Sequence, residues 1–165
     1  PAKRPTVAST FLGTRYPPAI TQSATRNKAI LDSRPAPSRA EVKALIIEIA
    51  KRHGVDPKLA LAIGFQESGW NQRAVSPANA VGVMQLIPAG GEWSSELVGR
   101  RLDLLDARDN ITAGVVMLRA LGQATSSTEM AVGAYYQGLY SVRTKGLYGE
   151  TQRYVANVLA LRTRM

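Results

Sequence analysis

The sequence predicts an all-α domain, and three observations carry that prediction. Apolar residues recur at helical spacing in one segment after another from Ser38 to Met165. Ser, Asp and Pro stand where those segments start, and Gly stands where several of them stop. Alternating strand-like patterns are weak throughout, with no internal repeat or low-complexity tract. At 165 residues and 45% hydrophobic content, the chain suits one domain with a substantial core. About six or seven helices are expected from the periodic segments.

In order, Pro1 to Tyr16 is rich in Pro, Thr and Arg and reads as a linker or an extended wrapping segment. The start at Pro1 reads as a cut in a longer precursor. Pro17–Ser33 places Ile20, Ala24, Ala29, Ile30 and Leu31 on a rough helical face, and Pro17-Pro18 suits a helix start. Arg34–Pro37 forms a boundary. Residues 1–37 are therefore expected to be a linker with a short extra helix, and 38–165 the main domain.

Ser38–His53 is the first strong helix. Ser38 and Glu41 have capping-box spacing, Val42, Leu45, Ile46, Ile49 and Ala50 make the stripe, and Gly54 ends it. Asp56-Pro57 opens a second helix, apolar from Pro57 to Phe65, with Leu59, Ala60, Ile63 and Glu67 on one face. Ser68–Val81 is a loop, and Gly82–Pro88 a bend with one or two helical turns. Pro88–Gly99 carries Trp93, Leu97 and Val98 without a clear helix signature, and Leu102–Asp106 is a short apolar turn. Asp109 is expected to cap a helix to Leu121, and Ser126 another to Gly138. Leu139–Gly149 reads as a loop in which Tyr140, Arg143, Lys145 and Tyr148 interleave aromatic and basic groups. Glu150–Met165 is the last helix.

Composition narrows the function. There is no Cys, hence no disulfide or thiol chemistry, although this does not locate the protein in the cytosol. No signal peptide is visible, and no apolar run approaches membrane-spanning length. A net charge of +9 implies anionic partners: nucleic acid, acidic lipid or a polyanionic wall. Lys and Arg are dispersed, and no zinc-finger or basic-region signature accompanies them, so no nucleic-acid partner is expected. The single His53 has no companion for a metal site. It reads as an imidazole facing the negative end of its helix dipole.

One carboxylate stands apart. Glu67 ends a hydrophobic helix, where partial desolvation favours the protonated form and suits a general acid near neutral pH. Downstream, Trp70 is either a core residue or a wall for the apolar face of a sugar ring. Gln85 offers amide donors and an acceptor, and Met84 an adaptable apolar surface.

The spacing of Glu67, Ser68, Trp70, Asn71, Ala74, Ser76, Ala80, Gly82, Met84, Gln85, Leu86 and Pro88 resembles the soluble lytic transglycosylases, relatives of the goose-type lysozymes. The resemblance runs from about Ser38 to Leu161 and implies a lysozyme-like helical fold with residues 38–165 as the catalytic domain. It implies Glu67 as the catalytic residue and Ser68, Ser76, Met84, Gln85, Tyr135, Gln137 and Tyr154 as substrate-binding residues, with no metal and no cofactor. Tyr154 matches a Tyr whose hydroxyl lies near the catalytic carboxyl, and Asn110 and Gly114 match a family Asn-x-x-x-Gly.

Two departures stand out. Ala89-Gly90 replaces a family Thr. Tyr136-Gln137 replaces Asn-Ala, so a substrate contact of that Asn does not carry over, and the Gln137 amide is a candidate substitute. The implied reaction cleaves the bond between N-acetylmuramic acid and N-acetylglucosamine and closes a 1,6-anhydro ring, Glu67 acting first as acid and then as base. Hydrolysis as in a goose-type lysozyme stays open, with Glu92, Glu96, Asp103 and Asp106 as possible second carboxylates. So does a non-catalytic wall-binding module. The expected partners are peptidoglycan glycan strands and anionic wall polymers, for a monomer secreted or associated with the cell wall.

Overall fold

The computed structural model describes residues 10–11 and 14–165. Among them are eight helices: α1 (Pro18–Asp32), α2 (Arg39–Arg52), α3 (Pro57–Ser68), α4 (Pro88–Val98), α5 (Ala107–Ala124), α6 (Thr128–Gln137), α7 (Leu139–Lys145) and α8 (Gly149–Arg162). Two short antiparallel strands precede them, β1 (Thr10–Phe11) and β2 (Thr14–Arg15), with Thr10 opposite Arg15. Of the linker or extended segment expected over Pro1–Tyr16, residues 1–9 and 12–13 lie outside the described residues, and the two strands occupy part of the rest.

α3 is the centre of the packing, against α2 on one side and α8 on the other. Leu59 through Gly64 are buried without interruption, as in a helix enclosed on all sides. α5 is the second pillar and touches α2, α4 and α6. One large apolar cluster joins Val42, Ile46 and Ile49 of α2, the interior of α3, Ile111, Val115 and Leu118 of α5, and Val155 and Val158 of α8. Trp70 packs against it. A smaller cluster of Leu121, Ala131, Ala134 and Val142 lies under α6 and α7, with Trp93 against it. Tyr135 touches both clusters.

The α2 capping box forms as its spacing predicts: the Ser38 hydroxyl accepts from Glu41 N, and Glu41 accepts from Ser38 N, both at 3.1 Å. Asp56 caps α3 by accepting from Lys58 N at 3.0 Å. Other boundaries differ from the sequence reading. Asp106, not Asp109, caps α5, because its side chain reaches the orphan Asp109 N–H at 2.9 Å. Asp109 instead accepts from Arg100 and from Asp103 N. Ser127, not Ser126, caps α6.

α4 and α7 were not expected as helices. In α4, Gly90 and Gly91 weaken the propensity signal, but tertiary packing wants them: a Cβ on Gly91 would meet Leu104 Cδ1 at 2.9 Å. α7 has only 7 residues, too short to show a period. Gly82–Pro88 forms no helical turn. Val81 bridges to Val75 and to Leu86, and Gly82 and Gln85 take positive φ of 80° and 53°.

On α1 only part of the expected face is inward. Ala24 and Leu31 are buried, while Ile20 and Ile30 are exposed. Ile30 lies about 120° round the helix from Ala24, off the buried line. His53 is the C-cap of α2, where the dipole reading puts it, while partial burial and the charges of Arg119 and Arg52 push its pKa down.

Candidate active site

Glu67 stands in the last turn of α3, which stops at Gly69 in the left-handed conformation (φ 64°). The residue as a whole keeps some surface, but its carboxyl is the enclosed end. Desolvation pushes its pKa up from 4.5 to about 7, and a hydrogen bond from Tyr154 works against that rise. The Tyr154 hydroxyl, delivered by α8, donates to Glu67 Oε2 at 2.9 Å. Burial and the nearby Glu67 hold the phenol of Tyr154 well above its usual range, so it stays a donor.

Tyr136 stacks on Tyr154, ring centroids 4.6 Å apart and planes 27° from parallel, and is itself 40% exposed. The chain of contacts Tyr136–Tyr154–Glu67 therefore runs from solvent to the enclosed carboxyl. Tyr135, the neighbouring residue on α6, turns inward, and its hydroxyl donates to the Met84 carbonyl at 2.8 Å.

The loop after Glu67 is held from beneath. The Ser68 hydroxyl donates to the Val83 carbonyl at 2.8 Å and accepts from Asn71 N at 3.1 Å. Gln72 is buried; its Oε1 accepts from Val83 N at 3.0 Å and its Nε2 donates to the Leu104 carbonyl at 3.1 Å. Asn110, fully buried in α5, accepts from Met84 N at 2.9 Å and donates to the carbonyls of Val81 and Leu104. Gly82 must be Gly: at φ +80° a Cβ would stand 2.4 Å from Asn110 Nδ2 and 2.6 Å from Gln72 Oε1. Gly114 lets the loop settle on α5, since a Cβ there would meet Met84 Cβ at 2.6 Å.

The structure brings Tyr154 directly to Glu67 and links Tyr135 with Met84 just behind it. Met84 is fully buried, and its role here is packing and backbone presentation. Gln85 donates from Nε2 to the carbonyls of Ala74 and Gly82, each at 3.0 Å, and so braces the loop. Ser76 accepts from Ala80 N within the same loop. The Gln137 amide is fully engaged by protein. Its Nε2 donates to Ser141 Oγ and the Gly146 carbonyl, and its Oε1 accepts from Thr151 Oγ1 and Tyr148 N. It ties α6 to the α7–α8 turn and has no capacity left to replace a substrate-binding amide.

Trp70 turns away from a sugar-facing role. Its indole N–H donates to the Leu61 carbonyl at 3.0 Å, and its ring meets Phe65 edge-on with Lys43 and Arg39 over it. Of the acids that sequence kept open as second carboxylates, Asp106 caps α5 and Asp103 closes a turn onto Leu105 N, while Glu92 and Glu96 are exposed on α4. Among the described residues, no group of three or more His, Cys, Asp or Glu could hold a metal ion.

The roles of Asn110 and Gln72 were not drawn from the sequence. Asn110 carried a signal, because it falls on the buried stripe with Ile111, Val115 and Leu118, where a polar residue needs a specific partner. Gln72 sits in an irregular loop and gave none.

Residues 44–156 match the family model described as the transglycosylase SLT domain. The chain belongs to this family. The match begins inside α2 and ends inside α8, so the SLT domain holds Glu67, Tyr154 and the braced loop between them. Over 129 residues the chain is 33% identical to the membrane-bound lytic murein transglycosylase C of Mannheimia succiniciproducens, covering 70% of this chain and 36% of that protein. It is 39% identical over 92 residues to the membrane-bound lytic murein transglycosylase F of Thiobacillus denitrificans, covering 52% and 18%. The chain thus spans little more than a third of these curated relatives at most.

Among solved structures, an inactive mutant of the lytic transglycosylase Slt from Pseudomonas aeruginosa superposes with a TM-score of 0.66 at 27% identity, over 72% of this chain and 23% of that one. A 70-kDa soluble lytic transglycosylase in complex with bulgecin A gives 0.63 at 28%, over 70% and 23%. The lysozyme-like helical SLT fold expected from the sequence is the fold found.

Proposed function

We propose that the chain carries a peptidoglycan lytic transglycosylase activity, with Glu67 as its single acid and base. The observation that carries this reading is an enclosed carboxyl whose pKa is raised to about 7, held by one phenol and by no second carboxylate among the groups that shift it. The names of the SLT relatives support the same chemistry.

In this mechanism protonated Glu67 donates to the glycosidic oxygen leaving C1 of N-acetylmuramic acid. The substrate's own acetamido oxygen bonds to C1 and stabilises the positive charge, a known exception to the use of two carboxylates. Glu67, now a carboxylate steadied by the Tyr154 hydroxyl, takes the proton of the C6 hydroxyl. O6 then displaces the acetamido oxygen at C1, which closes the 1,6-anhydro ring and returns Glu67 to its acid form. A carboxyl poised near neutrality can do both steps without a large free-energy mismatch in either. No cofactor enters the balance.

Residues 38–165 form the catalytic unit in this reading, and 1–37 an N-terminal arm. In this reading the loop that Ser68, Ser76 and Gln85 brace, anchored by buried Met84 and by Tyr135, flanks the substrate, with Tyr154 beside the acid. The +9 charge favours residence at a cell wall that carries anionic polymers. The test is the mass of the products from purified peptidoglycan. Muropeptides ending in 1,6-anhydro-muramic acid, lighter by one water than reducing-end products, are expected. Reducing-end products would make the chain a hydrolase, and a folded protein that releases nothing would make it a binding module.

A further inference from the structure

The described residues before the SLT match are built onto the site. α1 lies along the loop that follows Glu67. Lys28 Nζ donates to the Arg73 carbonyl at 2.9 Å, and Asn27 Nδ2 to Asn79 Oδ1 at 2.8 Å. Arg73 donates in return from Nε to the Leu31 carbonyl at 3.2 Å and from Nη2 to the Arg34 carbonyl. Ala24 and Leu31 are the buried residues of α1. Tyr16, at the turn into α1, is one of the groups whose field reaches Tyr136, after burial, Glu150 and Glu67.

Between α1 and the segment before it lies a cavity of about 510 Å³, lined by Arg15, Tyr16, Thr21, Gln22 and Arg26 among others. Its chemistry is particular. Arg15 and Arg26 form no ion pair among the described residues, and Arg26 reaches only Ser23 Oγ at 3.1 Å. Thr21 Oγ1 is sealed from solvent with no hydrogen-bond partner among the described residues. Two exposed guanidiniums without an ionic partner suit a carboxylate, which guanidinium binds in a planar, bidentate way.

We propose that the N-terminal arm is a wall of the substrate cleft, and that the cavity at Arg15 and Arg26 takes a carboxylate of the peptide stem on a muramyl residue near the cut. This rests on the peptidoglycan reading above. The glycan backbone itself offers hydroxyls and acetamides; the stem peptides supply the carboxylates of a strand, so two cations at the edge of the cleft select the stem-bearing substrate. The family match starts at residue 44, so this subsite is an addition to the SLT domain and not a part of it.

The test uses the full chain and a double variant, Arg15→Gln with Arg26→Gln. Both positions are exposed, so folding is not at stake. Fluorescently labelled soluble strands, either glycan with stems or stem-free oligomers of N-acetylglucosamine, which carry no carboxylate, are titrated in the Glu67→Gln background and binding is read by anisotropy. The double change is expected to weaken binding of stem-bearing strands by about tenfold, the scale of one or two charge-assisted hydrogen bonds at a partly exposed site. Stem-free strands should bind alike with and without it. Lys at both positions should restore part of the loss. Equal binding of stem-bearing strands, or equal loss on both substrates, overturns the proposal. Digestion by the unaltered chain is measured alongside: no product there, with stem-selective binding intact, would overturn the transglycosylase reading and leave the arm's carboxylate site standing.

Discussion

Replacing Glu67 with Gln should abolish glycan cleavage and at the same time make the domain more stable above neutral pH. The enclosed carboxyl has a folded-state pKa of about 7 against 4.5 for a free side chain. The folded protein therefore holds this proton more tightly than the unfolded chain does. The stability it contributes is fully present below pH 4.5, declines as pH rises through the window to 7, and is gone above it. The gap between 4.5 and about 7, at 1.36 kcal/mol per pH unit, amounts to about 3 kcal/mol by which ionised Glu67 opposes folding at pH 8.

Gln removes that charge and keeps an oxygen for the Tyr154 hydroxyl, but adds an amide N–H that needs a partner, at a penalty of about 1 kcal/mol or more. A net gain of about 1–3 kcal/mol in urea unfolding is expected at pH 8, shrinking with falling pH and absent by pH 4. A Glu67→Gln protein with no stability gain at pH 8, or with a gain that grows as pH falls, would refute the enclosed-acid argument, whatever its effect on catalysis.

Four further outcomes follow from contacts already described. Tyr154→Phe deletes a hydrogen bond that favours the Glu67 carboxylate, so the alkaline limb of the kcat/KM profile should move up by about one to two pH units; an unmoved limb would separate Tyr154 from the acid. Tyr136→Ala removes the stack on Tyr154 and should lower kcat several-fold, while Tyr136→Phe keeps the ring and should retain most of it, as read by anhydro-product release. Asn110→Ala leaves the buried Met84 N–H unpaired and deprives two carbonyls of a donor; about 3 kcal/mol of stability should be lost in urea titration. Gly114→Ala drives a methyl to 2.6 Å from Met84 Cβ and Cγ, and a loss of about 1–3 kcal/mol is expected on the same assay.

Helices with long stripes and paired caps were readable from the chain alone. α2 announced both ends through Ser38, Glu41 and Gly54, and α3 through Asp56-Pro57. α4 was hidden because Gly90 and Gly91 lower helix propensity for a reason visible only in three dimensions, the close approach of Leu104 and Met117. The caps of α5 and α6 shifted by one to three positions because several neighbouring Asp or Ser side chains could each have reached an orphan N–H. At the site, Glu67 and Tyr154 were readable as a pair through resemblance. Gln137 was not: its amide is saturated by Ser141, Gly146, Tyr148 and Thr151, partners that come together only when α7 and α8 both fold against α6. Sequence listed the polar groups of the motif but could not say which ones the protein itself consumes.

The division of the interior into two apolar clusters has an optical consequence. The chain has two tryptophans, and the fold puts Trp70 against the large cluster and Trp93 against the small one under α6 and α7. Trp70 also lies beneath Lys43 and Arg39, with the amine 4.8 Å from the ring centroid, so its emission is sensitive to those cations as well as to solvent. Each half of the molecule therefore carries its own intrinsic lamp. With either one changed to Phe, the remaining signal reports whether the half bearing α7 loosens before the half bearing Glu67, or whether both go dark together.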